Sequence, residues 1–272
     1  MVDSTHDVIL GQITVMKRYR SWDRGEPEQE WHALSLLHHH CPGLAPEPIA
    51  FSRLDGAPAI IMSRVAGVPL GSTPLTEPQL LAVAEAMTRI HHALPATELA
   101  MLEERRSGPA ELLADLKSWS KEPLVAVVSP VVADAKATGT TWLDALAISD
   151  LKAPSAESVF TLGDGNLGNF LWDGEQCRLV DFEDSGVSQV AFEIADIVEH
   201  VSVWLRGIFE ADDLLTALDT DPDQRIPVAN CRRLFALFWL RMLLPGNRGH
   251  ERNPAGSVER QAQRLLDLLE TG

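Results

Sequence analysis

The sequence predicts an α+β protein in two unequal parts, a small β-rich lobe over residues 1–67 and a larger, mostly helical lobe over 68–272. Three observations carry this reading. Strand-like runs divided by turn residues fill the first part, amphipathic helical spacing dominates the second, and one glycine-punctuated β island at 158–183 interrupts the helices.

The elements follow in order. HDVIL and TVMKRYR, broken at Gly11, read as a strand pair. In 28–40 the residues Trp31, Leu34, Leu37 and His38 recur at helical spacing until Cys41-Pro42-Gly43 stops them. PIAFSRL and PAIIMSRV flank an Asp55-Gly56 turn and form a second hairpin. Beyond Gly67, a helix opens after Thr76 with Leu80, Val83, Ala84, Met87 and Ile90 on one stripe, and Pro95 closes it. Further helices are expected at 110–119, 190–205, 211–218, 228–244 and 258–269. The island reads as a loop followed by a hairpin turning at Asp173-Gly174.

Composition excludes several function classes. At 45% hydrophobic and 23% charged residues, the chain belongs with globular proteins, not with disordered or fibrous ones. No apolar run reaches the ~20 residues of a membrane helix, and the N-terminus lacks a signal-peptide layout. Three cysteines, Cys41, Cys177 and Cys231, suit packing in a reducing compartment, so a cytoplasmic protein is expected. The net charge of −16 argues against nucleic acid and anionic membranes as partners. That charge is uneven, with a net of −2 over residues 1–67 and −14 over 68–272, which reads either as a solvated acidic surface or as a cleft that attracts cations.

The island holds the chemistry. Gly163, Gly165 and Gly168 spell G-x-G-x-x-G, with Asp181 at the distance of a ribose-binding acid. A dinucleotide site needs a helix directly after the glycines, however, and Asp173-Gly174 breaks the short stretch before Arg178. Read by polar residues, the island offers Asp164, Asn169 five positions later, and Asp181 at the end of the strand-like CRLVDFE. Phosphoryl transfer needs a carboxylate to orient and deprotonate a hydroxyl, oxygen ligands for Mg²⁺, and a fixed cation. Asp164 suits the first task, and Asn169 and Asp181 the second.

LGDGNLGN followed by LVDFE resembles the catalytic and metal loops of the aminoglycoside phosphotransferase and choline kinase family, H-G-D-x-x-x-x-N and I-D-[FW]-[ED]. The likeness extends over about 8–204 and implies the two-lobed protein-kinase-like fold. By this resemblance, Lys17 in VMKRY contacts nucleotide phosphates, Glu30 pairs with Lys17, and the backbone at Ser63 and Val65 in IMSRVAG bonds the base. It implies Mg²⁺ as cofactor and ATP or GTP as phosphoryl donor. His91 and Glu193 match framework segments, with His91 expected as a packed residue.

Three departures stand out. Leu162 replaces the histidine that opens the family's catalytic loop, and Glu193 replaces an aspartate. Lys17 has room for one strand before it where the family has two, so either the first strand is missing or the chain begins late, with Ser4 and Thr5 as remaining phosphate donors.

Acidic residues after the metal strand and in the next helices, Glu183, Asp184 and Glu199 foremost, are expected to bind a cationic acceptor, with Trp119, Trp142 and Trp204 as candidate walls. The expected activity is O-phosphorylation of a cationic small molecule, first an aminoglycoside-like antibiotic, with antibiotic resistance as the role. The alternatives are a kinase of an amino alcohol or amino sugar metabolite, and a catalytically weak binder of the same fold. A monomer or homodimer is expected.

Overall fold

The computed structural model describes residues 6–124, 128–153 and 158–271. Ser4 and Thr5 therefore lie outside the described residues. The chain divides into two compact units, residues 1–106 with 158–187, and residues 107–157 with 188–272. The break drawn after Gly67 is a different partition, because in the first unit the helix after Thr76 and the island pack with the β-rich segment.

In the first unit, β1 (His6–Leu10) pairs antiparallel with β2 (Thr14–Tyr19), placing Val8 opposite Lys17. α1 (Glu26–His40) starts two residues earlier than the apolar spacing indicates, because Pro27 is tolerated in a first turn and Glu26 and Glu28 complement the positive helix end. Its buried face carries Glu30, Ala33, Leu34 and Leu37. β3 (Pro48–Leu54) and β4 (Ala57–Ser63) form the second hairpin, with Asp55 and Gly56 both at positive φ, 51° and 81°, as a primed two-residue turn requires. The sheet order is β1-β2-β4-β3, so β2, which bears Lys17, is internal.

β5 (Val68–Pro69) is too short for the sequence to announce. α2 (Glu77–His91) opens with a capping box between Thr76 and Gln79 and buries Val83, Ala84, Met87, Ile90 and His91. A single turn, α3 (Ala96–Leu99), follows. The island supplies β6 (Ser158–Thr161), β7 (Phe170–Trp172) and β8 (Cys177–Leu179), and β9 (Gly186–Gln189) comes after it. β5, β7 and β8 form one small sheet, and Asp173 turns the β7–β8 hairpin by accepting the amides of Glu175 and Gln176, each at 3.0 Å. A single 3₁₀ turn at Leu167–Asn169 leads straight into β7. No helix follows the glycines, which excludes the dinucleotide reading.

The second unit is helical: α4 (Pro109–Ser120), α5 (Pro130–Ala145), α6 (Val190–Glu199), α7 (Val201–Trp204), α8 (Ala211–Ala217), α9 (Arg225–Leu243), α10 (Arg248–Arg252) and α11 (Ser257–Glu270). α9 is central and packs against α5, α6 and α11 through fully buried Leu234, Leu237 and Leu240. α5 escapes sequence reading because Val131, Val132, Thr138, Thr140 and Thr141 lower helix propensity. Its Gly139 is there for closeness, since a Cβ would stand 3.0 Å from Leu237 and 3.2 Å from Leu265. The single helix expected at 190–205 is two, broken at His200, whose Nδ1 caps α7 by accepting the Ser202 amide at 3.2 Å. Trp119 is core, packed against Lys136 at 4.9 Å from its ring, and is no pocket wall.

Candidate active site

Every residue of the site described here lies in the first unit. Lys17 points from β2 into a cluster of carboxylates: its Nζ donates to Glu30 Oε2 at 2.6 Å and to Asp181 Oδ1, and stands 2.9 Å from Glu183 Oε2. Burial works against the ammonium charge, but Glu30, Asp181 and Glu183 outweigh it and hold Lys17 protonated well above the ordinary lysine range. Tyr19, two residues along β2, donates its hydroxyl to the same Glu30 oxygen. Burial and the Glu30 charge raise Tyr19, so it remains a phenol donor. α1 thus contributes one buried carboxylate that fixes both side chains of one strand face.

The island presents Asp164 on a tightly determined turn. Gly163 adopts φ 85°, and a Cβ there would lie 2.0 Å from the Asp184 carbonyl oxygen, so only glycine fits. One Asp164 oxygen accepts the Asn166 amide at 3.0 Å and the other accepts the Asn169 side-chain amide at 3.0 Å. Burial and the neighbouring Asp181 charge push the Asp164 carboxyl above the usual range, against the pull of these donors. Because Asn169 gives its nitrogen to Asp164, its amide oxygen is the atom left for a cation.

Asp181 follows directly on the strand register. The Val180 amide donates to the Asn169 carbonyl at 3.0 Å, tying the two segments together, and Asp181 takes the left-handed conformation at φ 70°. A non-glycine residue held there is a local strain of the kind that clusters at functional sites. Ligand atoms of His6, Asp181 and Glu183 all lie within 4.8 Å of one another, a set that could hold a metal ion. Burial, then the Lys17 charge, lowers His6, which favours the neutral imidazole.

A cavity of about 340 Å³ opens beside Lys17, Glu30, Asn169, Asp181 and His6. Val8, Leu10, Val15 and Met62 line its apolar end, while Lys17, Glu30, Asn169 and Asp181 line its charged end. Ser63 and Val65 stand at its edge. The Ser63 amide is already committed to the Glu47 carbonyl at 2.8 Å and is not available to a ligand. A heteroaromatic ring with a phosphate tail matches this division.

The residues expected to bind a cationic acceptor are placed differently. Glu199 is a correction: it is fully buried in the second unit, held by Arg232 at 2.7 Å and Arg264 at 3.0 Å, and no acceptor reaches it. Glu183 faces Lys17, and Asp184 stands 3.7 Å from Arg24. The site residues missed in the sequence are His6, Tyr19 and Arg105. The alternation of β2 puts Tyr19 on the Lys17 face and was the available signal for it. His6 and Arg105 gave none, because their partners lie far away in the chain.

Residues 9–227 match the phosphotransferase enzyme family, and the chain belongs to it; the protein is a small-molecule phosphotransferase. Among solved structures it is similar to a choline/ethanolamine kinase family protein from Mesorhizobium loti, at 16% identity and a TM-score of 0.66 over 99% of this chain and 87% of that one. It is also similar to a choline kinase from Streptococcus pneumoniae, at 14% and 0.64 over 100% and 92%. A third is spectinomycin phosphotransferase in complex with ADP and spectinomycin, at 15% and 0.60 over 99% and 89%. No curated protein sequence matches the chain. The fold is therefore the α+β, kinase-like one that the island motif implies. Among the described residues no helix is long and apolar enough to cross a membrane.

Proposed function

We propose that the protein is a Mg²⁺-dependent O-phosphotransferase that moves a phosphoryl group from ATP or GTP to a hydroxyl of a cationic small molecule. The observation that carries this reading is the convergence of Glu30, Asp181 and Glu183 on Lys17 and of Asn169 on Asp164, with Lys17, Glu30, Asn169 and Asp181 lining one cavity. The apolar end takes the base, with Ser63 and Val65 along its edge. Lys17, oriented by Glu30, neutralises phosphate oxygens. Asp164 accepts the hydroxyl proton as the new bond from the acceptor oxygen to the γ-phosphorus forms and the bond from that phosphorus to the β–γ bridging oxygen breaks, releasing ADP or GDP.

Asn169, Asp181 and Glu183 supply two carboxylates and an amide oxygen, the hard donors that Mg²⁺ takes, and they would hold it. Such an ion neutralises charge on the phosphates. The Asp164–Asn169 hydrogen bond fits the same division of labour, with one side chain turned to the proton and the other to the cation.

An aminoglycoside-like acceptor, and with it a cytoplasmic role in antibiotic resistance, is supported by the excess of acidic residues beyond Gly67. A small amino alcohol is the second reading, favoured by the two choline kinase neighbours. Titration calorimetry with ATP tests the site. Wild-type protein should bind ATP with Mg²⁺, Asp181→Ala should lose the Mg²⁺-dependent part, and Asp164→Ala should keep it. ATP binding by Asp181→Ala as tight as wild type, with and without Mg²⁺, would refute the reading.

A further inference from the structure

We propose that Arg105 is a positioning residue for the Asp164 loop: its guanidinium reaches from 58 residues upstream to hold the Gly163 carbonyl and so fixes the turn that presents Asp164. The inference rests on Asp164 as the proton acceptor, but its structural half is testable without that.

Arg105 is only 5% exposed, and a buried guanidinium persists where its donors and charge are answered. One amino group donates to the Gly163 carbonyl, and Nε faces the Arg106 carbonyl at 3.3 Å. Its backbone is equally constrained. The Arg105 amide donates to the Val187 carbonyl at 2.9 Å, the Val187 amide donates to the Glu103 carbonyl at 3.0 Å, and Glu104 forms a parallel bridge with Val187. Gly186 makes that pairing possible, since a Cβ there would lie 2.6 Å from the Arg105 Cα. Arg105 is therefore a fixed arm in a segment that the sequence, Glu-Glu-Arg-Arg, presents as ordinary surface charge.

What the arm holds is the most determined point of the loop. Gly163 is pressed on one side by the Asp184 carbonyl, which leaves no room for a Cβ, and its own carbonyl is taken by Arg105. Asp164 leaves this pinned peptide and is then fixed by Asn166 and Asn169. The preceding residue, Leu162, is buried and apolar and offers the loop no side-chain donor. The other two arginines nearby have other partners, among them Glu26 of α1 and Asp184. Arg24 bonds Glu26 at 2.8 Å, and Arg106 donates to the Arg24 carbonyl.

Arg105→Met keeps the aliphatic stem and removes the fork, and Arg105→Lys keeps the charge with a single point donor. Two readouts separate positioning from bulk stability. Hydrogen–deuterium exchange should accelerate in a peptide spanning 162–169 of Arg105→Met while α2 in the same unit keeps its protection. With MgATP and either choline or kanamycin as acceptor, kcat should fall about 10-fold or more with the KM for ATP within about twofold, as misplacing a proton acceptor predicts. Arg105→Lys should recover part of both. Unchanged exchange at 162–169, or equal acceleration in α2, would overturn the proposal. If wild type phosphorylates neither acceptor, that counts against the functional reading, while the exchange arm still decides whether Arg105 holds the loop.

Discussion

Lys17 has three N–H donors, and three carboxylates, Glu30, Asp181 and Glu183, stand around them. A phosphate oxygen reaching this ammonium has to displace at least one, and Glu30, the fully buried one, is the least free to leave. If Asp164 accepts the hydroxyl proton as proposed, Asp164→Asn should reduce kcat by about 10²-fold or more in steady-state assays. Burial holds the folded Asp164 carboxyl above the usual range, and only its ionised form accepts a proton. Activity should therefore be lost as pH falls through a value higher than that of an ordinary aspartate, which a pH–rate profile checks. At Glu199, removing the charge strands two guanidiniums beside a buried site. Glu199→Gln should cost about 3–5 kcal/mol in urea unfolding, with nucleotide affinity preserved. The grouping of Asp164, Asn169 and Asp181 was legible in their spacing, and that of Lys17 with Glu30 only in the family resemblance; the structure brings these side chains together. Glu199 was misread because its surroundings, Arg232 and Arg264, come from other helices and leave no local pattern.

At the scale of elements, both hairpins and α2 follow from turn residues and caps that the sequence states openly, such as Asp55-Gly56 and Thr76 with Gln79. α5 was hidden for the opposite reason, since its β-branched residues and Gly139 disfavour an isolated helix and only packing against α9 and α11 stabilises it. The α6–α7 break illustrates the same limit. No proline or glycine marks it, and the device is a histidine cap. His200 Nδ1 accepts the Ser202 amide at 3.2 Å, which requires an unprotonated nitrogen, and burial pulls the residue down to about 4 from 6.5. The unfolded chain takes up a proton near 6.5 and the folded one does not, so this residue's contribution is complete above 6.5 and declines as pH falls toward 4. His200→Gln should flatten the dependence of the urea midpoint on pH across that window. An unchanged slope would show that other groups set it.

For the molecule as a whole, −16 is the net charge of a protein that draws cations and repels its own negatively charged donor, which makes the Lys17 cluster and a divalent ion the natural means of admitting nucleotide. If long-range attraction concentrates a polycationic acceptor, its KM should rise as salt is raised from about 20 to about 200 mM, where screening shortens to roughly 7 Å, whereas the KM of a neutral alcohol should not. The central claim is that the Asp164, Asn169, Asp181 and Lys17 constellation transfers phosphoryl groups to a hydroxyl. Mass spectrometry of a library of amine-bearing and neutral alcohols, incubated with Mg²⁺ and ATP or GTP, tests it most directly. The account predicts that amine-bearing members gain one phosphate with wild-type protein and not with Asp164→Ala. No phosphorylated acceptor, or equal yields from the two proteins, would contradict it.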